Sequence, residues 1–443
     1  MNKKHKITII GSGLAGPLMA SYLSQRGYEV NIYEKRQDMR IHKQSAGRSI
    51  NLALSKRGID SLKDIGLYDK VRSKMLPMAG RMIHDIDGKQ HMQRYGQKNN
   101  EVIYSISRSF LNKVLIDHAE SKPNVQIFFN QKLIEVELNK SKLIFNEERK
   151  IVPFEILFGS DGSASPVRNS MEEISSINFR KIPLDHGYKE INMPPDLAGN
   201  YRMNPNALHI WPRGNFMLIA LPNTDHSFTC TLFFPMLGEL SFSSIDSENK
   251  IIEFFKMQFP DIIEMLPNLV EDYKNNPTGK LATVYCDKWN YKGKALIFGD
   301  AAHAIVPFFG QGMNASFQDC KVIDQMIEKY EGDWNEVFSN FTKNHKPNGH
   351  AIANMALENY IEMRGLVNDE GYIKKRELEL KLELEFPNRF LPRYSMVSFH
   401  SLPYSEVYKR GEIQSKLMDE FLAGKINQQE LKGKILKKLE TIL

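Results

Sequence analysis

The stretch that most constrains the fold lies at the start of the chain. The apolar run Ile7-Thr8-Ile9-Ile10 leads into Gly11-Ser12-Gly13-Leu14-Ala15-Gly16, with the glycines at the spacing G-x-G-x-x-G. An amphipathic segment follows from Leu14 to Arg26, then Gly27, then the apolar run Val30-Asn31-Ile32-Tyr33 ending in Glu34. Strand, glycine turn, helix and strand make a βαβ unit in which each glycine has a physical task. Gly11 lets the chain leave the strand sharply, Gly13 removes a side chain where a pyrophosphate must approach, and Gly16 lets the helix pack close to the sheet. The helix start offers free N–H groups and the positive end of a dipole to phosphate. Glu34 stands at the tip of the second strand, where a carboxylate can accept both hydroxyls of an adenosine ribose. The unit therefore predicts an α/β domain that binds a dinucleotide.

Composition narrows the class. A chain of 443 residues with 42% hydrophobic and 25% charged residues has the balance of a soluble globular protein and can bury a large core. The net charge of +6 is modest and the lysines are scattered, which argues against a dedicated nucleic-acid surface. Cys230, Cys286 and Cys320 show no C-x-x-C spacing and no clustering with histidine, so neither a disulfide framework nor a metal site is expected, and a reducing compartment fits. The run Ile7–Ile10 is too short for a signal peptide, and nowhere do eighteen apolar residues follow one another, so no transmembrane helix is expected.

Along the chain, Lys35–Gln44 reads as a polar loop, Arg48–Ser55 alternates like a strand, and Gly58–Val71 reads as helical. Asp87-Gly88 marks a hairpin between Met82–Asp85 and Met92–Tyr95. Val102–Ile106 feeds a helix over Ser109–Ser121; strands follow at Val125–Phe129, Leu133–Leu138 and Lys142–Phe145. From about Ile174 to Asp287 the pattern becomes hairpin-forming, with strands at Ala207–Trp211, Asn215–Leu221 and Phe228–Phe234 and a helix over Ser247–Phe259. The α/β pattern returns at Ala295–Phe298, followed by a long helix from about Met313 to Tyr330. This predicts a discontinuous α/β domain over residues 1–173 and 288–332, an inserted, mainly antiparallel sheet over 174–287 to which strands near 80–106 contribute, and a helical region over 333–443.

Two further acid–glycine motifs stand at strand ends. In Gly299-Asp300-Ala301-Ala302-His303, followed by Pro307-Phe308-Phe309-Gly310-Gln311-Gly312-Met313-Asn314, a strand delivers Asp300 to its C-terminal end and a helix then begins. In a flavin enzyme Asp300 would bind ribityl hydroxyls, and Gly310 and Gly312 would let backbone approach the pyrimidine edge, where reduced flavin concentrates negative charge. An ordinary Asp cap and glycine turn is the competing reading. His303, among apolar neighbours, reads as a packed structural histidine. The third motif, Gly159-Ser160-Asp161-Gly162 with Arg168 beyond it, is by itself only a turn.

Together and in this order the three motifs resemble the FAD-dependent aromatic hydroxylases, the group A flavoprotein monooxygenases. Longer strings narrow the resemblance to the kynurenine 3-monooxygenase family: Gly47-Arg48-Ser49-Ile50-Asn51-Leu52-Ala53-Leu54-Ser55, Gly80-Arg81-Met82-Ile83-His84, Asp300 through Asn314, Asn359-Tyr360-Ile361-Glu362-Met363-Arg364 and Leu391-Pro392-Arg393-Tyr394-Ser395-Met396-Val397. The resemblance implies a Rossmann-like FAD-binding domain of the aromatic-hydroxylase type. It implies FAD contacts at Leu14, Glu34, Ala53, Arg108, Leu133, Asp300, Met313 and Asn314, joining Gly11, Gly13, Gly16, Asp161 and Gly312 from the motifs themselves. It implies substrate contacts at Arg81, Tyr95, Asn359 and Tyr394, a guanidinium with Tyr and Asn donors suited to the carboxylate of L-kynurenine. No catalytic side chain is assigned, because the flavin, as its C4a-hydroperoxide, carries the chemistry with O2, and NADPH docks transiently on a surface the sequence does not mark.

Eukaryotic members of that family carry a C-terminal membrane anchor, whereas Ser405–Leu443 is polar and charged with amphipathic spacing, so a soluble cytoplasmic enzyme is expected. Two other readings stay open. A hydroxylase of another aromatic acid would keep the FAD motifs without the Arg81, Tyr95, Asn359 and Tyr394 set, and a non-catalytic flavin sensor would need no closed substrate cavity.

Overall fold

The computed structural model describes residues 5–41, 51–175, 178–367 and 369–442. Gly47 to Ile50, part of the expected strand and of one family-like string, lie outside the described residues, as do His42 to Gln44 of the expected loop. The chain divides into two compact units. One comprises Met1–Met75, Ile106–Leu184 and Leu281–Ala353, the other Leu76–Ser105, Asp185–Lys280 and Asn354–Leu443.

The first unit is built on a sheet whose strands run in the order Asn290–Tyr291, Ala295–Ile297, Ile156–Gly159, Lys6–Ile10, Glu29–Tyr33 and Val125–Phe128. All neighbours are parallel except the Asn290–Tyr291 edge. Central strands of such a sheet are covered on both faces, which is why they read as unbroken apolar runs: every residue of Ile156–Gly159 and Ala295–Ile297 is buried. The helices Ala15–Gln25, Arg108–Glu120 and Gly312–Lys329 belong to this unit, as does a small antiparallel sheet of Leu133–Glu137, Lys142–Phe145 and Lys150–Pro153. The helical reading of Gly58–Val71 resolves into two helices, Lys56–Asp64 and Tyr68–Arg72, because Gly66, at φ 72°, takes the left-handed conformation that ends the first.

In the second unit, Phe228–Pro235 pairs antiparallel with the Phe179–Met193 strand from His186 onward and, on its other side, with Met217–Pro222. Leu208–Pro212 follows, then Gly80–His84 in parallel register and Gln90–Arg94 beyond it. The hairpin about Asp87-Gly88 is thus an edge of this sheet. The long Phe179–Met193 strand escaped the pattern reading because Pro183 and Gly187 are poor strand formers and because His186, Lys189 and Glu190 are polar yet buried. One face is packed by Glu248–Gln258 and the loop after it, through Trp211, Phe216, Phe234, Phe254, Phe255 and Phe259. The helices Glu370–Glu385, Tyr404–Leu422 and Gln428–Lys438 bury their own apolar stripe, including Leu382, Phe390, Leu417, Leu431 and Ile435. Among the described residues no helix is long and apolar enough to cross a membrane.

Candidate cofactor and substrate sites

Parallel strands leave a sheet from one edge, so the three acid–glycine turns of the first unit start side by side. The Ser160 amide donates to Ile10 O at 2.9 Å, the Phe298 amide to Gly159 O at 3.1 Å and the Gly11 amide to Tyr33 O at 2.9 Å. The three glycines of the fingerprint are not equivalent. A Cβ on Gly11, where φ is 101°, would lie 2.6 Å from Ser160 O, and one on Gly16 would lie 2.0 Å from Gly11 O. Both glycines are demanded by the protein's own packing. A Cβ on Gly13 would meet nothing within 4 Å. The space over Gly13 is what a ligand backbone contact requires. Beside it the Ser12 hydroxyl is buried without a hydrogen-bond partner.

Glu34 is buried, and its two oxygens are shared out. One accepts from the Ser12 amide at 2.7 Å; the other accepts from the Arg36 amide at 3.0 Å and the Arg36 Nε at 2.7 Å. Burial favours its neutral form, but Arg36 and the backbone donors outweigh this and hold the carboxyl below its ordinary range. The carboxylate is therefore ionised and fixed at the strand tip.

Asp300 is exposed at the first position of the Asp300–His303 helix, after Gly299 at φ 59°, and its carboxylate makes no hydrogen bond to another described residue. Arg108, exposed at the start of Arg108–Glu120 behind the Ser107 cap, likewise has no partner among the described residues. Asn314 is different. Its amide oxygen accepts from Ser55 N at 2.9 Å and its nitrogen donates to Ala53 O at 2.8 Å and Gly310 O at 2.9 Å. That side chain ties the Asn51–Leu54 strand to the Gly310 turn, so a ligand would meet Gly312, Met313 and Asn314 through backbone N–H groups in the first turn of Gly312–Lys329. Leu14 is half-buried beside the fingerprint, and Leu133 is buried at the head of its strand. Asp161 accepts from Val167 N at 3.1 Å at the start of the Pro166–Ser175 helix, and burial pushes its carboxyl up. Its Oδ2 serves that helix, while its Oδ1 is buried without a hydrogen-bond partner.

Two groups that sequence reasoning did not place hold these turns. Arg168, buried, donates to Ala301 O at 2.8 Å and Ser163 O at 2.9 Å, joining the second and third motifs. Asp319, buried on the Gly312–Lys329 helix, accepts from Gly299 N at 2.7 Å and from His303 Nε2 at 2.6 Å, and His345 Nε2 lies 2.8 Å from its other oxygen. Burial alone would raise Asp319, yet the two imidazoles bring it well below the carboxylate range, while the same carboxylate raises His303 against its own burial. His303 is thus a structural histidine with a partner. An Asp two turns into a helix that starts on Gly-x-Gly gives no local signal of this; only the fold brings it to Gly299. Open space over Gly13, an orphaned Ser12 hydroxyl, and Asp300 and Arg108 side chains without hydrogen-bond partners among the described residues together fit a dinucleotide with a ribityl chain.

In the second unit Arg81, Tyr95, Asn359 and Tyr394 come together. Arg81 is buried on Gly80–His84; its Nη2 donates to Asn359 Oδ1 at 3.2 Å and its Nη1 to Glu362 Oε1 at 2.7 Å. Tyr95 and Tyr394 stack with ring centroids 4.6 Å apart and planes within 10°. The Arg81 guanidinium carbon lies 5.9 Å from the first ring centre and 5.3 Å from the second. The Tyr372 hydroxyl donates to Glu362 Oε1 at 2.8 Å, and Arg376 Nη2 to Tyr95 O at 3.0 Å. Glu362 opens the π-helical turn Glu362–Leu366 that ends the Trp334–Ile361 helix. Sequence reasoning missed its part, although Asn359 and Glu362 at i and i+3 share a helix face. Tyr372 and Arg376 carry no signal of this kind.

Comparison with known proteins identifies the family and the fold. A family model described as an FAD binding domain matches residues 4–201 and 261–336. A kynurenine 3-monooxygenase of Myxococcus xanthus (strain DK1622) is 42% identical over 426 residues, covering 95% of this chain and 92% of that protein. One of Dictyostelium discoideum is 41% identical over 433 residues, covering 94% and 93%. Among solved structures, 2-methyl-3-hydroxypyridine-5-carboxylic acid oxygenase in its tetrameric form superposes with a TM-score of 0.68 at 19% identity, over 83% of this chain and 94% of that one, which speaks for the fold.

Proposed function

The chain belongs to the kynurenine 3-monooxygenase family, an FAD-binding family, and we propose that it hydroxylates L-kynurenine to 3-hydroxykynurenine, with NADPH as transient reductant and O2 as oxidant. The observation that carries the substrate is the Arg81 cluster. Its guanidinium offers a planar two-point donor for a carboxylate, and Glu362 beside it is the acceptor that an α-ammonium needs. An α-amino acid presents both groups on one carbon. The stacked faces of Tyr95 and Tyr394 add an aromatic wall.

In this reading Gly13, Glu34, Asp300, Arg108 and the Gly312–Lys329 helix start hold FAD, with Asp319 and Arg168 keeping the turns in place. When bound and reduced, FAD supplies one atom of O2 as an electrophilic oxygen. Kynurenine's aniline nitrogen activates the ring carbon ortho to it, so no strong protein base is required. The residues around Arg81 fix that ring in one orientation and keep water from it. Residues 1–173 and 288–332 serve the cofactor, 174–287 with strands near 80–106 form the substrate sheet, and 333–443 a helical region. A cytoplasmic setting is part of the proposal, supported by three cysteines that are all buried and unpaired.

The test is kynurenine-stimulated NADPH oxidation by the purified FAD-loaded protein, with product identified by mass and ring position. Stoichiometric 3-hydroxykynurenine is expected. Oxidation that kynurenine does not stimulate, or that yields only hydrogen peroxide, overturns the reading.

A further inference from the structure

Gly80–His84 brings Arg81 to the proposed substrate cluster, and its last residue enters a separate buried network in the same unit. His84 Nδ1 lies 2.8 Å from Asp261 Oδ2, and His84 Nε2 lies 2.8 Å from His209 Nδ1. His209 Nε2 in turn lies 2.8 Å from the Asn204 carbonyl oxygen. Both histidines are 1% exposed. Asp261 follows the Glu248–Gln258 helix, and the Trp211 indole donates to it at 2.9 Å while stacking on His84 with centroids 4.0 Å apart.

The protons of this chain can be counted. It has three links, and each needs one hydrogen. Its two ends, a carboxylate and a carbonyl, only accept. Three protons must therefore sit on two imidazoles, so one ring is an imidazolium paired with ionised Asp261. The ring that faces the carboxylate is His84, whereas His209 meets only a ring nitrogen and a carbonyl oxygen and is driven down to about 4 by burial. Burial opposes ionisation of Asp261 as well, but the bonds from His84 and Trp211 outweigh it and keep the carboxyl below its usual range. Removing one proton turns a 2.8 Å link into a contact between two lone pairs.

We propose that Asp261, His84 and His209 form a proton-locked splint that positions the Arg81 strand, and that losing its third proton at high pH weakens the hold of Arg81 on kynurenine. The inference rests on the substrate reading above. The route is short. Gly80–His84 has five residues, and Leu208↔Arg81, His209↔Met82 and Ile210↔Ile83 are its register partners, so the His84–His209 link pins two adjacent strands at the end of their pairing. The charged and titratable groups facing the network are few. Asp261 and His209 are within it. Arg213 donates to His84 O at 3.1 Å and to Gln258 O at 2.7 Å, and its charge faces Asp261 and Asp85. Arg213 holds the same strand end through the backbone and does not titrate in the range concerned.

The experiment compares the FAD-loaded wild type with Asp261→Asn, measuring KM for kynurenine and kcat from neutral to alkaline pH, with Arg81→Lys as reference. In the wild type KM should climb with pH while kcat at saturation holds. Asp261→Asn keeps the acceptor oxygen but removes the charge that retains the proton, so the climb should begin about one pH unit or more nearer to acid. An unchanged profile in Asp261→Asn, with Arg81→Lys raising KM, overturns the splint alone. If Arg81→Lys leaves KM unchanged, the substrate reading falls and the splint with it. Nitrogen NMR of histidine-labelled wild type, assigned by the signal lost in His84→Gln, decides the proton count even if Asp261→Asn does not fold. Both His84 nitrogens protonated at neutral pH are expected; one unprotonated nitrogen overturns the proposal.

Discussion

The Arg81 guanidinium stands 2.7 Å from the Glu362 carboxylate, a cation and an anion side by side at the surface of two stacked tyrosine rings. Isolated, such a pair at a largely buried position is worth little, because desolvation offsets the attraction. As a template for a zwitterion its value is different: each member prepays the orientation of the other, and an amino acid can exchange with both at once.

The first prediction separates the two members. Arg81→Ala should cost kynurenine binding about 2–5 kcal/mol, and Arg81→Lys less, because lysine keeps the charge but loses the planar fork. FAD content should not change. Against the decarboxylated analogue of kynurenine the wild type should prefer kynurenine strongly and Arg81→Ala should nearly lose that preference. Equal discrimination in both proteins would remove Arg81 as the carboxylate ligand.

For Glu362→Gln the relevant comparison is kynurenine against its deaminated analogue. The variant should bind kynurenine about tenfold or more weaker, the scale of a lost charged hydrogen bond, while the analogue without an ammonium should bind as well or better. Parallel losses for both ligands would mean that Glu362 only supports Arg81.

The fingerprint glycines make a paired prediction. Gly16→Ala forces a Cβ to 2.0 Å from Gly11 O, so it should destabilise the protein itself by about 1–3 kcal/mol, seen in the melting temperature without FAD. Gly13→Ala meets open space and should leave that melting temperature alone while weakening FAD in equilibrium dialysis. A Gly13→Ala protein with wild-type FAD affinity would put the pyrophosphate elsewhere.

Glu34→Ala should weaken FAD by about 1–3 kcal/mol if the fixed carboxylate receives ribose hydroxyls. Titration of apoprotein with FAD measures it, and an unchanged dissociation constant would leave Glu34 as a partner of Ser12 and Arg36 alone.

Asp319 carries a pH signature. Its folded carboxyl is depressed, so its contribution is complete above the unfolded value of about 3.9 and fades as pH falls through the folded value. Asp319→Asn should lower stability near neutrality by about 3–5 kcal/mol, and part of that difference from wild type should close as the solution is acidified. A difference that does not change with pH would show that Asp319 is not ionised.

The parts of this architecture legible in the sequence are those written in local pattern. Ile7–Ile10 followed by the glycines, Ala295–Ile297 before Gly299-Asp300 and the Asp87-Gly88 hairpin all declare themselves within a dozen residues. The family resemblance named Arg81, Tyr95, Asn359 and Tyr394, residues with no local signature that the structure gathers in one cluster. What stayed hidden is relational. Asp319 looks like any helix acid until His303 and His345 close on it, and His84 and Asp261 are 177 residues apart in sequence before the sheet and its covering helix bring them to 2.8 Å. Polar partners of this kind have no periodicity to betray them.

The seam of backbone hydrogen bonds joining Ile10, Ser160 and Phe298 through Gly159 has a consequence for how the protein is born. The fingerprint emerges from the ribosome before the other two, yet its neighbouring turn is supplied some 150 residues later and the Gly299-Asp300 motif later still. Contacts of such long sequence separation form slowly and only after the intervening chain exists. A nascent polypeptide that stops short of Asp319 holds every fingerprint glycine but lacks the residue that seats Gly299. FAD capture therefore waits until synthesis has passed Asp319, and translation products of this chain truncated before it should emerge colourless.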